Sequence, residues 1–212
     1  MQLKKTFNFL KSISIKLNNF YIKRSNSKLV IKNKSKNKKN FDPVTNLDQS
    51  IEKYLRLLIG KKFPNDSIVG EEFTDKNSLN DFQWSIDPID GTKAFVIGAP
   101  TWSNLISLSY KKKSLLGFAN FPELKKYYIN DKNKSYVFKN KKKYILKASK
   151  NFNLRTIKVI SHGNIKFNNL IKIIGKFGPL FSIASFDALN FCLLAEGKVD
   201  VVIEGNLKSY DI

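Results

Sequence analysis

Apolar residues recur with a helical period at both ends of the N-terminal half. Phe7, Leu10, Ile13, Ile15, Leu17, Phe20 and Tyr21 form one face, predicting a helix to about residue 23. Ile51, Leu55 and Leu58 predict a second helix over 48–59, with Gly60 as its stop. Between them Leu29-Val30-Ile31 reads as a short strand, and the lysine-rich run 32–40 as a solvated loop. Short apolar or β-branched runs predict strands at 68–70, 84–86, 105–108, 115–119, 127–129, 136–138, 156–160 and 199–203. A last helix is expected over 184–196, closing at Gly197. Helices and strands mix without strict alternation, which predicts an α+β or layered α/β fold rather than a doubly wound sheet.

The chain has 212 residues, the size of one domain. A single domain over 1–212 is expected, with an N-terminal α+β lobe over 1–120 and a C-terminal α/β lobe over 121–212. Its one cysteine, Cys192, excludes a disulfide framework and a cysteine-based zinc site. No apolar run reaches the length of a membrane span, and the N-terminus lacks a secretory pattern, so a cytoplasmic protein without a membrane role is expected.

The formal net charge of +21 points to a polyanion partner, but only three of the 38 basic residues are arginine. Arginine makes the bidentate contacts that read bases and phosphates, so no specific nucleic-acid readout is expected. The bases concentrate in 1–40 and 111–150, whereas ten of the 17 acids fall within 41–91. Scarce acids gathered in one stretch mark candidate chemistry.

Within that stretch an apolar strand runs into Asp87-Pro88-Ile89-Asp90-Gly91-Thr92. Two carboxylates on a turn stiffened by Pro88 can converge on hard divalent cations, which take oxygen ligands. The Gly91 and Thr92 amides, at the start of an expected helix, can receive a phosphate. The plain alternative is a strand-end turn with Asp90 as a helix N-cap. Gly70-Glu71-Glu72 ends a second strand with two glutamates, and Asp42-Pro-Val-Thr45-Asn-Leu-Asp48 precedes a helix; a solvated strand end and simple capping are their alternatives. His162 reads as a loop residue, Trp84 and Trp102 as packing residues, and Cys192 as buried and inert.

These three motifs, in this order, resemble the inositol monophosphatase family of Mg²⁺-dependent, lithium-sensitive phosphatases. The similarity runs on through Ala195-Glu-Gly-Lys-Val-Asp-Val-Val-Ile-Glu204 and Leu207-Lys-Ser-Tyr-Asp211. The resemblance implies a layered α/β/α/β/α sandwich whose C-terminal part is incomplete here, since relatives continue beyond the residue matching Asp211. It implies two or three Mg²⁺ ions held by Glu71, Asp87, the Ile89 carbonyl, Asp90 and Asp211. Asp48 and Thr92, hydrogen-bonded to each other, would activate water together with Glu71, and the Gly91 and Thr92 amides would hold phosphate. Glu72 and Lys36 would support the metals from behind. The branch with Ser185-Phe-Asp187 and Leu-Lys-Ser-Tyr-Asp is the one similar to histidinol-phosphatases, with Asp187, Glu204 and Lys208 facing the substrate. Inositol-1-monophosphatase and 3′(2′),5′-bisphosphate nucleotidase are the alternatives within the family, fructose-bisphosphatase is more distant, and an inactive basic polyanion-binding protein is the alternative outside it. The resemblance also implies a homodimer. A chain ending at Ile212 would place Asp211 on a fraying terminus and is expected to be weakly active.

Overall fold

A computed structural model describes residues 2–24, 28–34, 43–78, 80–151, 153, 155–161, 172, 175, 180–184, 186–205 and 207–208. Helix α1 (Gln2–Arg24) and helix α2 (Asn46–Lys62) carry the two predicted apolar stripes. Both pack on one face of a seven-stranded sheet: Leu10, Ile13 and Leu17 of α1 and Ile51, Leu55 and Ile59 of α2 join Trp84, Ile86, Ile106, Leu108, Leu116 and Phe118 in one core, whereas Ile15, expected on the α1 stripe, is exposed. Gly60 does not stop α2. The helix runs on to Lys62, with the Phe63 amide donating to the Ile59 carbonyl at 2.7 Å and the Phe63 ring buried.

The sheet comprises β3 (Ser67–Gly70), β4 (Phe82–Asp90), β5 (Ser103–Tyr110), β6 (Lys113–Phe121), β7 (Lys126–Asn130), β8 (Ser135–Lys139) and β9 (Lys142–Ile145), in that spatial order. Only β3 and β4 pair in parallel; the rest form an antiparallel meander. Ahead of α2, β1 (Ile31–Asn33) pairs antiparallel with β2 (Pro43–Thr45), two residues beyond the strand predicted at 29–31.

On the other face of the sheet lies α4 (Ala188–Ala195), with Leu189 and Cys192 packed on Phe121, Tyr128 and Val137. The Cys192 side chain is buried as expected. Beyond α4 stands a parallel three-stranded sheet in the order β11 (Leu180–Ile183), β10 (Lys158–Ser161), β12 (Val201–Ile203). The succession of helices, sheet, helix and sheet matches the predicted layered sandwich as far as its fourth layer; His162 lies outside the described residues, as do most of the residues between β10 and β11. Helix α4 starts at 188 rather than 184 because Asp187 takes φ +46°, a left-handed backbone that ends helical continuity on its N-terminal side.

Trp84 and Trp102 are packing residues, 0% and 2% exposed. The Trp84 indole also donates to Asp66 Oδ2 at 2.9 Å, and Trp102 packs edge-on against Tyr21 and Phe95.

Candidate active site

Strand β4 places the central motif. Asp87 and Asp90 both lie on it, with an interruption in the β4–β5 register between them, so the expected turn is a bulge within a strand. The break is braced from behind. Asn104 Nδ2 donates to the Pro88 carbonyl at 2.6 Å, Asn120 Nδ2 donates to Asn104 Oδ1 at 2.9 Å, and Asn120 Nδ2 also reaches Asn18 Oδ1 at 3.0 Å. Asn104 and Asn120 are each 1% exposed. Sequence reasoning missed this relay, since lone asparagines in strands carry no signal.

Asp90 Oδ2 accepts from Ser103 Oγ at 3.0 Å and from the Ala188 amide at 3.0 Å, which ties the first residue of α4 to β4. The N-cap of the short helix α3 (Thr92–Val96) is Gly91, not Asp90. Gly91 has φ +78°, and a Cβ there would stand 2.7 Å from Asp187 Oδ2. The Asp187 carboxylate is therefore set against the Gly91-Thr92 segment and makes no capping bond to its own helix.

Parallel pairing of β3 with β4 aligns Gly70 with Ile86, the residues immediately before Glu71 and Asp87. Glu71 and Glu72 both accept from the Lys34 ammonium, at 2.8 Å for Glu71. Lys34 thus stands at the acidic centre; the expected Lys36 lies outside the described residues. The run of lysines over 32–39 gave no register by which to choose between them. Burial acts to lower the Lys34 pKa, but the two carboxylates outweigh it and the ammonium is held well above its ordinary value. Burial pushes Glu72 up to about 7 against the pull of Lys34.

Asp48, fully buried, closes a capping box at the start of α2: Oδ2 accepts from the Thr45 amide at 2.8 Å and from the Thr45 hydroxyl, while Thr45 Oγ1 accepts from the Asp48 amide. Thr92 Oγ1 donates to the Ile89 carbonyl at 2.9 Å. The expected Thr92–Asp48 pair is therefore replaced by two local bonds, each with a nearer partner within three residues along the chain. Asp48 Oδ1 is buried without a hydrogen-bond partner among the described residues, and burial raises the Asp48 pKa despite the Thr45 bonds. Glu204 leaves the end of β12 half-buried, Lys208 is exposed beyond it, and Asp211 lies outside the described residues.

Among the described residues no three carboxylate, imidazole or thiolate groups are gathered around one point as a finished metal cage. Lys34 takes up Glu71 instead. In kind, the residues fit a hard cation: all donors are oxygens, the ammonium already sits as a cation between Glu71 and Glu72, and the Ile89 carbonyl retains a second lone pair. Asp48 Oδ1 adds a buried acceptor at the same end of the sheet.

A layered α/β scaffold with these acidic strand ends and the Gly91-Thr92 turn defines a phosphatase class. The chain belongs to the inositol monophosphatase family, whose model matches residues 3–212. It is 27% identical to a histidinol-phosphatase of Mycobacterium tuberculosis over 185 residues, 82% of this chain and 70% of that one. It is 42% identical to a histidinol-phosphatase of Chlorobaculum parvum over 91 residues, 43% of this chain and 35% of that one. Among solved structures, an IMPase/NADP phosphatase complexed with Mg²⁺ and phosphate superposes with a TM-score of 0.82 at 17% identity, covering 100% of this chain and 79% of that one. The chain therefore spans only part of the length of these relatives. Among the described residues no helix is long and apolar enough to cross a membrane.

Proposed function

We propose that this protein is a Mg²⁺-dependent phosphomonoesterase acting on histidinol phosphate in histidine biosynthesis. The observation that carries the reading is the Asp187 carboxylate, which makes no capping bond to its own helix and stands against Gly91. There it would stand beside a phosphate held by the Gly91 and Thr92 amides, where a cationic leaving group would meet it. Histidinol brings an amine and an imidazole, and charge-assisted hydrogen bonds favour a carboxylate partner for both. Inositol offers hydroxyls alone. The histidinol-phosphatases among its relatives support the same choice.

Glu71, Asp87, the Ile89 carbonyl, Asp90 and Asp211 would hold the metal. A bound divalent ion lowers the pKa of its water and neutralises charge on phosphoryl oxygens. Asp90 is fixed for that task by Ser103 and the Ala188 amide, and the Pro88 carbonyl by Asn104. Thr92 and the buried Asp48 would orient the attacking water from the β4 and α2 sides, and Glu204 and Lys208 would complete the leaving-group pocket.

Phosphate release from histidinol phosphate, inositol-1-phosphate and 3′-phosphoadenosine 5′-phosphate, each with Mg²⁺ and with EDTA, tests the reading. Histidinol phosphate is expected to have the highest kcat/KM, and EDTA to abolish release. Faster hydrolysis of either other ester overturns the substrate. No release at all, with salt-sensitive nucleic-acid binding, would favour a polyanion-binding protein.

A further inference from the structure

Glu52 is fully buried on α2, one helical turn after Asp48. A buried carboxylate is costly unless each of its oxygens is engaged. Here Oε1 accepts from Arg56 Nε at 2.7 Å and Oε2 accepts from the Glu72 backbone amide at 2.7 Å. Arg56 in turn donates from Nη2 to the Phe73 carbonyl at 3.1 Å. The Glu52–Arg56 pair therefore holds the backbone on the C-terminal side of Glu71 by a donor and an acceptor, both reaching it from the same helix.

Gly70 holds the other side. A Cβ at Gly70 would stand 2.1 Å from Glu52 Oε1 and 2.9 Å from Arg56 Nη2, so only glycine lets β3 come this close to the pair. Glu71 is thus bracketed, at 70 and at 72–73, by contacts to two side chains of α2. The same helix carries Asp48 four residues earlier, on the same face. A simple i,i+4 ion pair for helix stability would sit at the surface and leave the neighbouring strand free. This one is 0% exposed at Glu52 and 17% at Arg56, and its remaining hydrogen-bonding capacity is directed at the 70–73 segment.

We infer that Glu52, acting with Arg56, is a positioning residue that fixes Glu71 relative to Asp48 and Asp87 for cation binding. It touches neither metal nor substrate. The inference rests on the proposed role of Glu71 as a metal ligand. Partners that orient a metal ligand from behind typically change metal affinity about 10–100-fold when removed, so Glu52→Gln is expected to weaken Mg²⁺ binding by about 10-fold or more.

Direct titration, by calorimetry with Mg²⁺ and by sensitised Tb³⁺ luminescence, reads this without turnover. Leu55→Ala, a core change on the same helix, serves as the stability control: it should lower Tm and leave Mg²⁺ affinity within about twofold. Glu52→Gln bound by Mg²⁺ within twofold of wild type overturns the inference. Should Glu52→Gln not fold, Arg56→Gln decides: the strap to Phe73 is lost while Glu52 still meets the Glu72 amide, and about 3–10-fold weaker Mg²⁺ binding is expected, with unchanged binding overturning the inference. A wild-type protein that binds no Mg²⁺ would instead sink the metal-site reading itself.

Discussion

Gly91→Ala separates the chemistry of the site from the stability of its turn. Alanine at φ +78° costs about 1–2 kcal/mol of backbone strain. The loss of chain entropy in the unfolded state returns about 0.4–1 kcal/mol. For a domain of this size the net change lowers Tm by at most about 6 °C. Gly98 provides the matching control, because it has φ +77° and a Cβ there meets nothing within 4 Å. Both variants carry the same backbone cost, but only the new methyl of Gly91→Ala confronts Asp187 Oδ2 at 2.7 Å. That oxygen must retreat by roughly 0.7 Å to reach ordinary contact at 3.4 Å. Misplacement on this scale at a reacting centre costs about 10–100-fold in rate. Circular-dichroism melts should therefore give two similar Tm values, while phosphate release from histidinol phosphate falls about 10–100-fold in Gly91→Ala alone. Equal kcat/KM for the two variants would refute the placement of Asp187 at the substrate.

Three further outcomes are expected. Asp90→Asn should remove turnover while the fold survives, because Ser103 and the Ala188 amide can still donate to a side-chain oxygen there; phosphate release above a tenth of wild type would dismiss Asp90 as a ligand. Leu55→Ala, at a fully buried position, should cost about 2–5 kcal/mol and lower Tm by about 5–15 °C, measured by calorimetry. Burial pushes the Cys192 thiol up to about 12, so the native protein should resist alkylation at pH 9 and react only once unfolded. The unfolded thiol ionises near 8.5 and the folded one does not, so this group's contribution to stability declines as pH rises from about 8.5 toward 12; rapid native labelling at pH 9 would show the site open.

The motif residues of β4 and the apolar stripes of α1 and α2 were legible because period and turn chemistry are local properties. What went unread depends on partners distant in sequence. Strand β9, Lys-Lys-Tyr-Ile, has no apolar alternation; it forms by pairing with β8 at the sheet edge, where lysines deter further pairing, and Lys143 Nζ lies 3.6 Å from the Tyr136 ring centre. Glycine is a usual helix stop, but the buried Ile59 and Phe63 carry α2 past Gly60. Lys34 reaches Glu71 and Glu72 from the residue just after β1, a contact that a uniform lysine run does not announce. Glu52 is a polar position in a helix with no motif of its own, and only its spacing of four from Asp48 and the glycine before Glu71 are signals in the sequence. The pairing of Thr92 with Asp48 was inherited from the resemblance, and nearer acceptors and donors captured both groups.

The asparagine relay changes what α1 is for. Asn18 of that helix reaches Asn120, which reaches Asn104, which holds the Pro88 carbonyl between the two aspartates. A lysine-rich segment that looks like a cover for the sheet is thereby a structural input to the bulge. A lengthwise shift of α1 would be expected to move the backbone between Asp87 and Asp90 with no residue of the acidic centre touched.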